Sequence, residues 1–294
     1  MKLIKPSFLI KEQEPELIGI YRQIEYAGRI CYKSSNKITP DSSKEFVDRM
    51  IKSGHGAMLE HGTVYLKITY KNTDFTTLCM FYGKNKYSVL NHSEDNKIYY
   101  ITTNYRVLVE NNHLSDLKYL CEPTEFHEKR ATVHFVCDRG VSHEFVRHRV
   151  MSFAQESTRY CNYSKKDKFG NELTFIKPCW LDIPTGQYVY WDGDWCDINK
   201  MKIQLPEGEH KDIDAFLWTL NNAETHYTLL INSGWKPQQA RAILSNSLKT
   251  ELVMTGFVSD WKHFFELRCD SAAHPQAREL AIPLREEFIK RNYI

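Results

Sequence analysis

The chain of 294 residues lacks most of the short signals that give a function away. No Walker A or GxGxxG segment occurs, so the common nucleotide cradles are absent. No GxSxG occurs either, and no nucleophile elbow can be argued. None of the eight cysteines forms a CxxC pair, and a chain this long needs no stapling, so reduced thiols are expected. No apolar run approaches the ~20 residues of a membrane span. Lys5, Pro6 and Lys11 interrupt the opening segment, which makes a poor signal peptide. These absences predict a soluble cytoplasmic protein. A net charge of only +2 argues against a protein that coats nucleic acid, because a phosphate-neutralising surface needs a clear basic excess. Internal repeats, heptad runs and low-complexity tracts are missing too.

Metal and covalent chemistry are poorly supported. His143 and His148 almost form a zinc-protease pair, but they stand five apart where one helical face requires four. Glu144 and His148 are four apart and are expected to pair with each other instead. With no clustered Cys or His elsewhere, no metal is expected. Ser152, Ser157 and Cys179 are the candidate nucleophiles; both serines lie near His148, but without a nucleophile elbow, and a lone cysteine is more often packing than chemistry.

What is present is concentrated between Asp138 and Tyr160. The chain holds 25 Lys and 14 Arg, yet this stretch has four Arg and no Lys. Arginine presents a flat fork that grips phosphate or a planar imide at two points, whereas lysine is a solvated point charge. Arg147, Arg149 and Arg159 with the Ser157 hydroxyl therefore suggest a site for a shaped anion. Two further clusters stand out, Gly54-His55 with Glu60-His61, and His263 to Arg268. Aromatic content of 13% leaves room for stacking on a flat ligand.

Hydrophobic spacing predicts helices over Leu17–Cys31, Phe46–Ile51 (stopped by Gly54), Val141–Arg149, Phe216–Ile231, Trp261–Arg268 and His274–Arg291. Alternation predicts strands at 64–70, 75–82, 99–109 and 132–138, with a short one at Leu252-Val253-Met254. Residues 162–208, with their turn clusters and short aromatic pieces, read as a long surface excursion with room for a hairpin, within one domain spanning 1–294. Helices and strands mix without βαβ alternation, so the expected class is α+β with an antiparallel-rich sheet.

Taken together, Arg147-His148-Arg149, Ser152, Gln155, Ser157 and Arg159-Tyr160 resemble the signature of the flavin-dependent thymidylate synthase family. Cys137 to Glu144 resembles its lead-in, and Gly54-His55 with Glu60-His61 its N-terminal flavin-contacting stretch. Gln239-Ala240-Arg241, Lys249 to Gly256 and His263 to Arg268 are similar to its C-terminal half. The resemblance runs in order over roughly residues 15–290. It implies that family's fold and the reductive methylation of dUMP to dTMP. Methylenetetrahydrofolate would donate the carbon, and FAD reduced by NADPH would carry the hydride. It further implies FAD contacts at His55, Ala57, Arg147, His148, Arg149, Gln155, Phe257, Val258, Ser259 and His263. The implied dUMP contacts are Glu144, Phe145, Val146, Arg147, Gln155, Glu156, Ser157, Thr158, Arg159, Arg241 and Arg268. Arg268 is implied as the residue facing the uracil imide, with its guanidinium unpaired. Ala57, Phe257 and Glu144 depart from the residues common in the family, which are Ser or Thr, Asn, and Gln. The resemblance also implies a homotetramer with shared active sites.

Overall fold

The computed structural model describes residues 1–71, 75–93, 97–165, 172–205 and 211–294. The turn residues Lys166 to Lys168, Gly170-Asn171 and Pro206 to Gly208 lie outside them. Two short strands, β1 (Lys2–Ile4) and β2 (Ser7–Ile10), precede helices α1 (Glu16–Cys31) and α2 (Ser42–Lys52). Ile20, Ile24 and Ala27 are buried along α1, and Phe46, Val47 and Met50 along α2, as the spacing requires. Gly54 follows α2 at φ +70°, the left-handed conformation that closes a helix without a Cβ clash. One turn, α3 (Gly56–Leu59), then leads into β3 (Thr63–Thr69).

The expected strand at 75–82 is instead α4 (Phe75–Leu78) running into a π-helical stretch, Cys79–Gly83. Leu78 and Tyr82 are four apart and both buried, so packing of one helical face overrides their β-propensity. Next come β4 (Val89–Ser93) and β5 (Ile98–Asn104). The strand expected over 99–109 ends at Asn104, whose side chain accepts from the Val107 N–H (3.1 Å) and caps α5 (Tyr105–Glu110). Strand β6 (Arg130–Asp138) is followed by α6 (Arg139–Phe145), capped by Asp138 accepting from the Val141 N–H (2.8 Å). Helix α6 stops at Phe145, short of the expected Arg149, because the chain turns at 146–151 into β7 (Ser152–Gln155).

After β8 (Thr174–Ile176) and β9 (Gly186–Gln187) comes the anticipated hairpin, β10 (Val189–Trp191) with β11 (Asp194–Cys196). Helices α7 (Lys211–Asn232) and α8 (Pro237–Ala240) lead to β12 (Lys249–Phe257), then α9 (Val258–Arg268) and α10 (Pro275–Lys290). The strand read as three residues at 252–254 is thus nine long. Helices and mainly antiparallel sheets make the fold α+β, as expected.

The central sheet has the order β2-β6-β12-β7, antiparallel throughout. Strands β6 and β12 pair along their full length, from Lys249 opposite Asp138 to Phe257 opposite Arg130. One sheet face packs Val133, Phe135, Leu252 and Met254 against Phe145, Trp261, Phe264, Leu280 and Phe288 of α6, α9 and α10. On the other, Val253 and Ala154 meet Ala27 and Ile30 of α1. A second antiparallel sheet, β3-β5-β4, packs with α1 and α2.

The described residues of 162–208 are not a surface excursion. Tyr163, Leu173, Phe175, Ile183, Tyr188 and Trp195 join Leu3, Leu217, Leu220 and Tyr227 in a third buried cluster, while β1 pairs with both β8 and β9. The apolar residues were spread between turn clusters, so no periodic run revealed this core. Leu248, immediately before β12 and bridged to Phe175 of β8, belongs to the cluster and ties it to the central sheet. A single cooperative unfolding transition is therefore expected, and Leu217→Ala should lower it as a whole by about 2–5 kcal/mol. Chemical denaturation followed by both tryptophan fluorescence and circular dichroism checks this; two separated transitions would contradict it.

Candidate active site

Helices α6 and α9 leave opposite ends of the β6–β12 pair and converge on the same sheet face. Their C-terminal ends meet at Arg268. Its Nη1 donates to the Glu144 carboxylate (3.0 Å), its Nη2 to the Glu144 carbonyl (2.8 Å) and its Nε to His148 Nε2 (3.1 Å). Glu144 and His148, expected to pair with each other, are both held by Arg268, which is correspondingly not unpaired. His148 is buried against the Phe264 ring (5.0 Å), with the exposed His263 ring 6.1 Å away. Burial, then the charges of Arg268 and His263, lower the His148 pKa to about 4. A neutral imidazole results, which fits its role as acceptor from Arg268.

A second group forms where β7 ends. The Glu156 N–H donates to the Glu251 carbonyl (2.8 Å) and the Ser157 N–H to the Cys31 carbonyl (3.0 Å), fixing this turn between β12 and α1. The Ser157 hydroxyl accepts from the Arg159 N–H (3.3 Å). Gln155 donates to the hydroxyls of Ser142 (2.8 Å) and Thr250 (3.3 Å), and Arg241 donates to Thr158 (3.2 Å). Tyr32 lies 3.3 Å from His55 Nδ1 and packs on the Tyr160 ring (5.5 Å), with Arg159 over Tyr160 (5.4 Å). The N-terminal histidine and the signature arginine thus share one surface.

Arg147, Arg149 and Arg159 are exposed, and their side chains make no hydrogen bond or ion pair among the described residues. Arg147 and Arg149 precede β7 and Arg159 follows it, and forks with no carboxylate on them suit a polyanionic ligand. Glu156 behaves differently. Its fully buried carboxylate accepts from Lys249 (2.7 Å) and Tyr163 (2.9 Å), so its side chain supports the turn from within. Lys249 also binds Glu251 (2.6 Å), which in turn meets Lys33 and lies 3.2 Å from His134. Burial opposes charge on Glu251, but the His134 contact and the Lys249 and Lys33 charges outweigh it and hold the carboxyl well below its usual range. Sequence reasoning did not anticipate Lys33, Lys249 or Tyr163 here, because Lys249 lies 93 residues from Glu156, Lys33 sits in the turn after α1, and Tyr163 falls in no periodic run.

Other expected site residues lie apart. Phe145 is fully buried, leaving only its backbone for a ligand, and Val146 packs beside it. Phe257, Val258 and Ser259 stand at the start of α9, about 16 Å from Arg268 for a helix of this length. Phe257 is covered by Arg130 (5.6 Å), and the Ser259 N–H donates to Glu128 (3.2 Å). Ala57 is exposed on α3. Among the described residues, no group of three or more His, Cys, Asp or Glu is arranged to hold a metal ion, and no helix is long and apolar enough to cross a membrane.

A family profile described as Thymidylate synthase complementing protein matches residues 71–291. This chain belongs to that family. A flavin-dependent thymidylate synthase of Pyrococcus furiosus is 30% identical over 161 residues, 54% of this chain and 53% of that protein. One from Corynebacterium aurimucosum is 22% identical over 262 residues, 88% of this chain and 72% of that protein. The chain spans about half the length of the first of these relatives. Among solved structures, a UMP/dUMP methylase PolB from Streptomyces cacaoi, bound with 5-Br dUMP, aligns with a TM-score of 0.44 at 15% identity, covering 99% of this chain and 93% of that one.

The histidine environments carry a pH signature. Burial also lowers the His61 pKa, to about 3, while its Nδ1 lies 2.8 Å from the Thr255 hydroxyl. Both imidazoles stay neutral when folded but take up a proton below about pH 6.5 when unfolded, so stability is lost as pH falls from about 6.5 toward 4. In His148→Gln, which keeps an acceptor for Arg268, the loss of stability across that window should be smaller than in the wild type. Equal slopes in denaturation series between pH 7 and 4.5 would contradict this.

Proposed function

We propose that this chain is a flavin-dependent thymidylate synthase, methylating dUMP to dTMP with methylenetetrahydrofolate as carbon donor. The observation that carries this reading is the turn at 155–159, where exposed Arg159 makes no side-chain hydrogen bond or ion pair among the described residues and stands with Ser157, Thr158 and Arg241. Family membership and the names of the relatives support the same chemistry.

The residues present fit FAD as a planar, doubly phosphorylated group. Arg147 and Arg149 supply phosphate forks, and the neutral His148 with exposed His55 and His263 supplies ring edges. When bound, FAD reduced by NADPH supplies the hydride, which accounts for a site without a protein nucleophile. The turn at 155–159, fixed by its bonds to Glu251 and Cys31, holds the dUMP phosphate through Ser157 and Arg159, with Arg241 beside Thr158. Arg268 faces the uracil imide and stabilises negative charge on the ring as C5 becomes nucleophilic.

Gly56–Leu59, the 147–149 turn and the start of α9 lie on separate parts of one chain, and exposed Val150, Tyr160 and Leu267 flank the arginines. Both features support a site shared between copies in a homotetramer. Eight free thiols suit a reducing cytoplasm.

Anaerobic addition of NADPH to the yellow protein should bleach its flavin, and later addition of dUMP and methylenetetrahydrofolate should yield dTMP. A protein that binds no flavin and forms no dTMP would overturn the reading. Arg159→Lys, which keeps the charge but loses the two-point grip, should weaken dUMP binding roughly tenfold. Unchanged dUMP affinity by calorimetry would remove Arg159 from the phosphate site.

A further inference from the structure

Arg268 is enclosed by its own chain before any ligand arrives. Of the five N–H groups on a guanidinium, three are held, one by the Glu144 carboxylate, one by the Glu144 carbonyl and one by His148. The Glu144 and Arg268 side chains are only 27% and 15% exposed, so their charges are partly shielded from water and act strongly on whatever docks beside them.

We propose that Glu144 is a built-in counter-anion that sets how far Arg268 can favour the ionised form of a nucleotide's planar imide. It is thereby a specificity-determining residue, and the inference rests on the dUMP reading above. The surrounding charges leave this task to Glu144. Arg147 adds positive potential, His148 is a neutral acceptor, and His263 pairs with the exposed Glu266 (3.3 Å) on its own helix. With Glu144 ionised, the Arg268 pair is close to neutral and a protonated imide is accepted. Ionisation of the imide sends its N3 proton to solvent, and the resulting anion competes with the carboxylate for the same N–H groups. The balance keeps the site from acting as a general anion trap while leaving Arg268 able to answer charge that develops on the ring.

Substitution separates charge from shape here, because the carbonyl contact to Arg268 comes from the backbone of residue 144 and survives any side chain. The probe is 5-fluoro-dUMP, whose N3 ionises nearer neutrality than that of dUMP and whose fluorine resonance reports the ionisation. It is titrated with pH on the flavin-loaded protein by 19F NMR. In Glu144→Gln the ionisation constant of the bound ring should rise about tenfold, a fall of about one unit in its pKa. Glu144→Ala, which also removes the charge, should move it in the same direction, and Glu144→Asp should titrate like the wild type. An ionisation constant unchanged in both charge-removing variants overturns the inference while leaving dUMP as the substrate. Failure of 5-fluoro-dUMP to bind the wild-type protein overturns both.

Discussion

The nine-residue antiparallel pairing of β6 with β12 is the constraint on which the rest depends. Because the strands run in opposite directions, α6 and α9 start at opposite ends of a ladder ~30 Å long. Helix α9, at ~16 Å, and α6, at ~10 Å, return along one face and bring their ends to a common point. There Arg268, Glu144 and His148 close on one another. The same β12 carries β7 on its free edge, so the turn at 155–159 is fixed by the strand that launches α9. A slip of one residue in this ladder would exchange Val253 with its neighbours between faces and detach every piece of the site.

The protein treats its two kinds of cation differently. Lys33 and Lys249 turn inward onto Glu156 and Glu251, where the two carboxylates share the two half-buried ammonium groups. Arg147, Arg149 and Arg159 face outward without carboxylate partners among the described residues. Inner pairs of this kind add little net stability, but they fix the backbone of the turn that presents the outer forks. The half-buried lysines give rigidity and the exposed arginines give recognition.

Much of this was legible in the sequence because it is local. Helical spacing marked α1, α2, α7, α9 and α10, and Gly54 marked a helix end by its conformational freedom. The exclusion of lysine from 138–160 pointed at the arginine surface. What failed was set by tertiary contact. Cys79 to Gly83 became helical because Tyr82 seeks the core and its hydroxyl donates to Asp116 (2.7 Å). The third core was invisible because its members come from β1, the 162–205 region and α7. The partners of Arg268 are more than 100 residues away in the chain, and no period reveals them.

In the proposed reaction, Arg147 and Arg149 hold a flavin directly beside the uracil nucleotide held by Arg159. The most direct test adds dUMP to the oxidised, flavin-loaded protein and records the visible absorption of the bound flavin. Adjacent seating predicts a saturable change in the flavin bands that is absent in Arg159→Ala. Saturable dUMP binding that leaves the flavin spectrum untouched would contradict it.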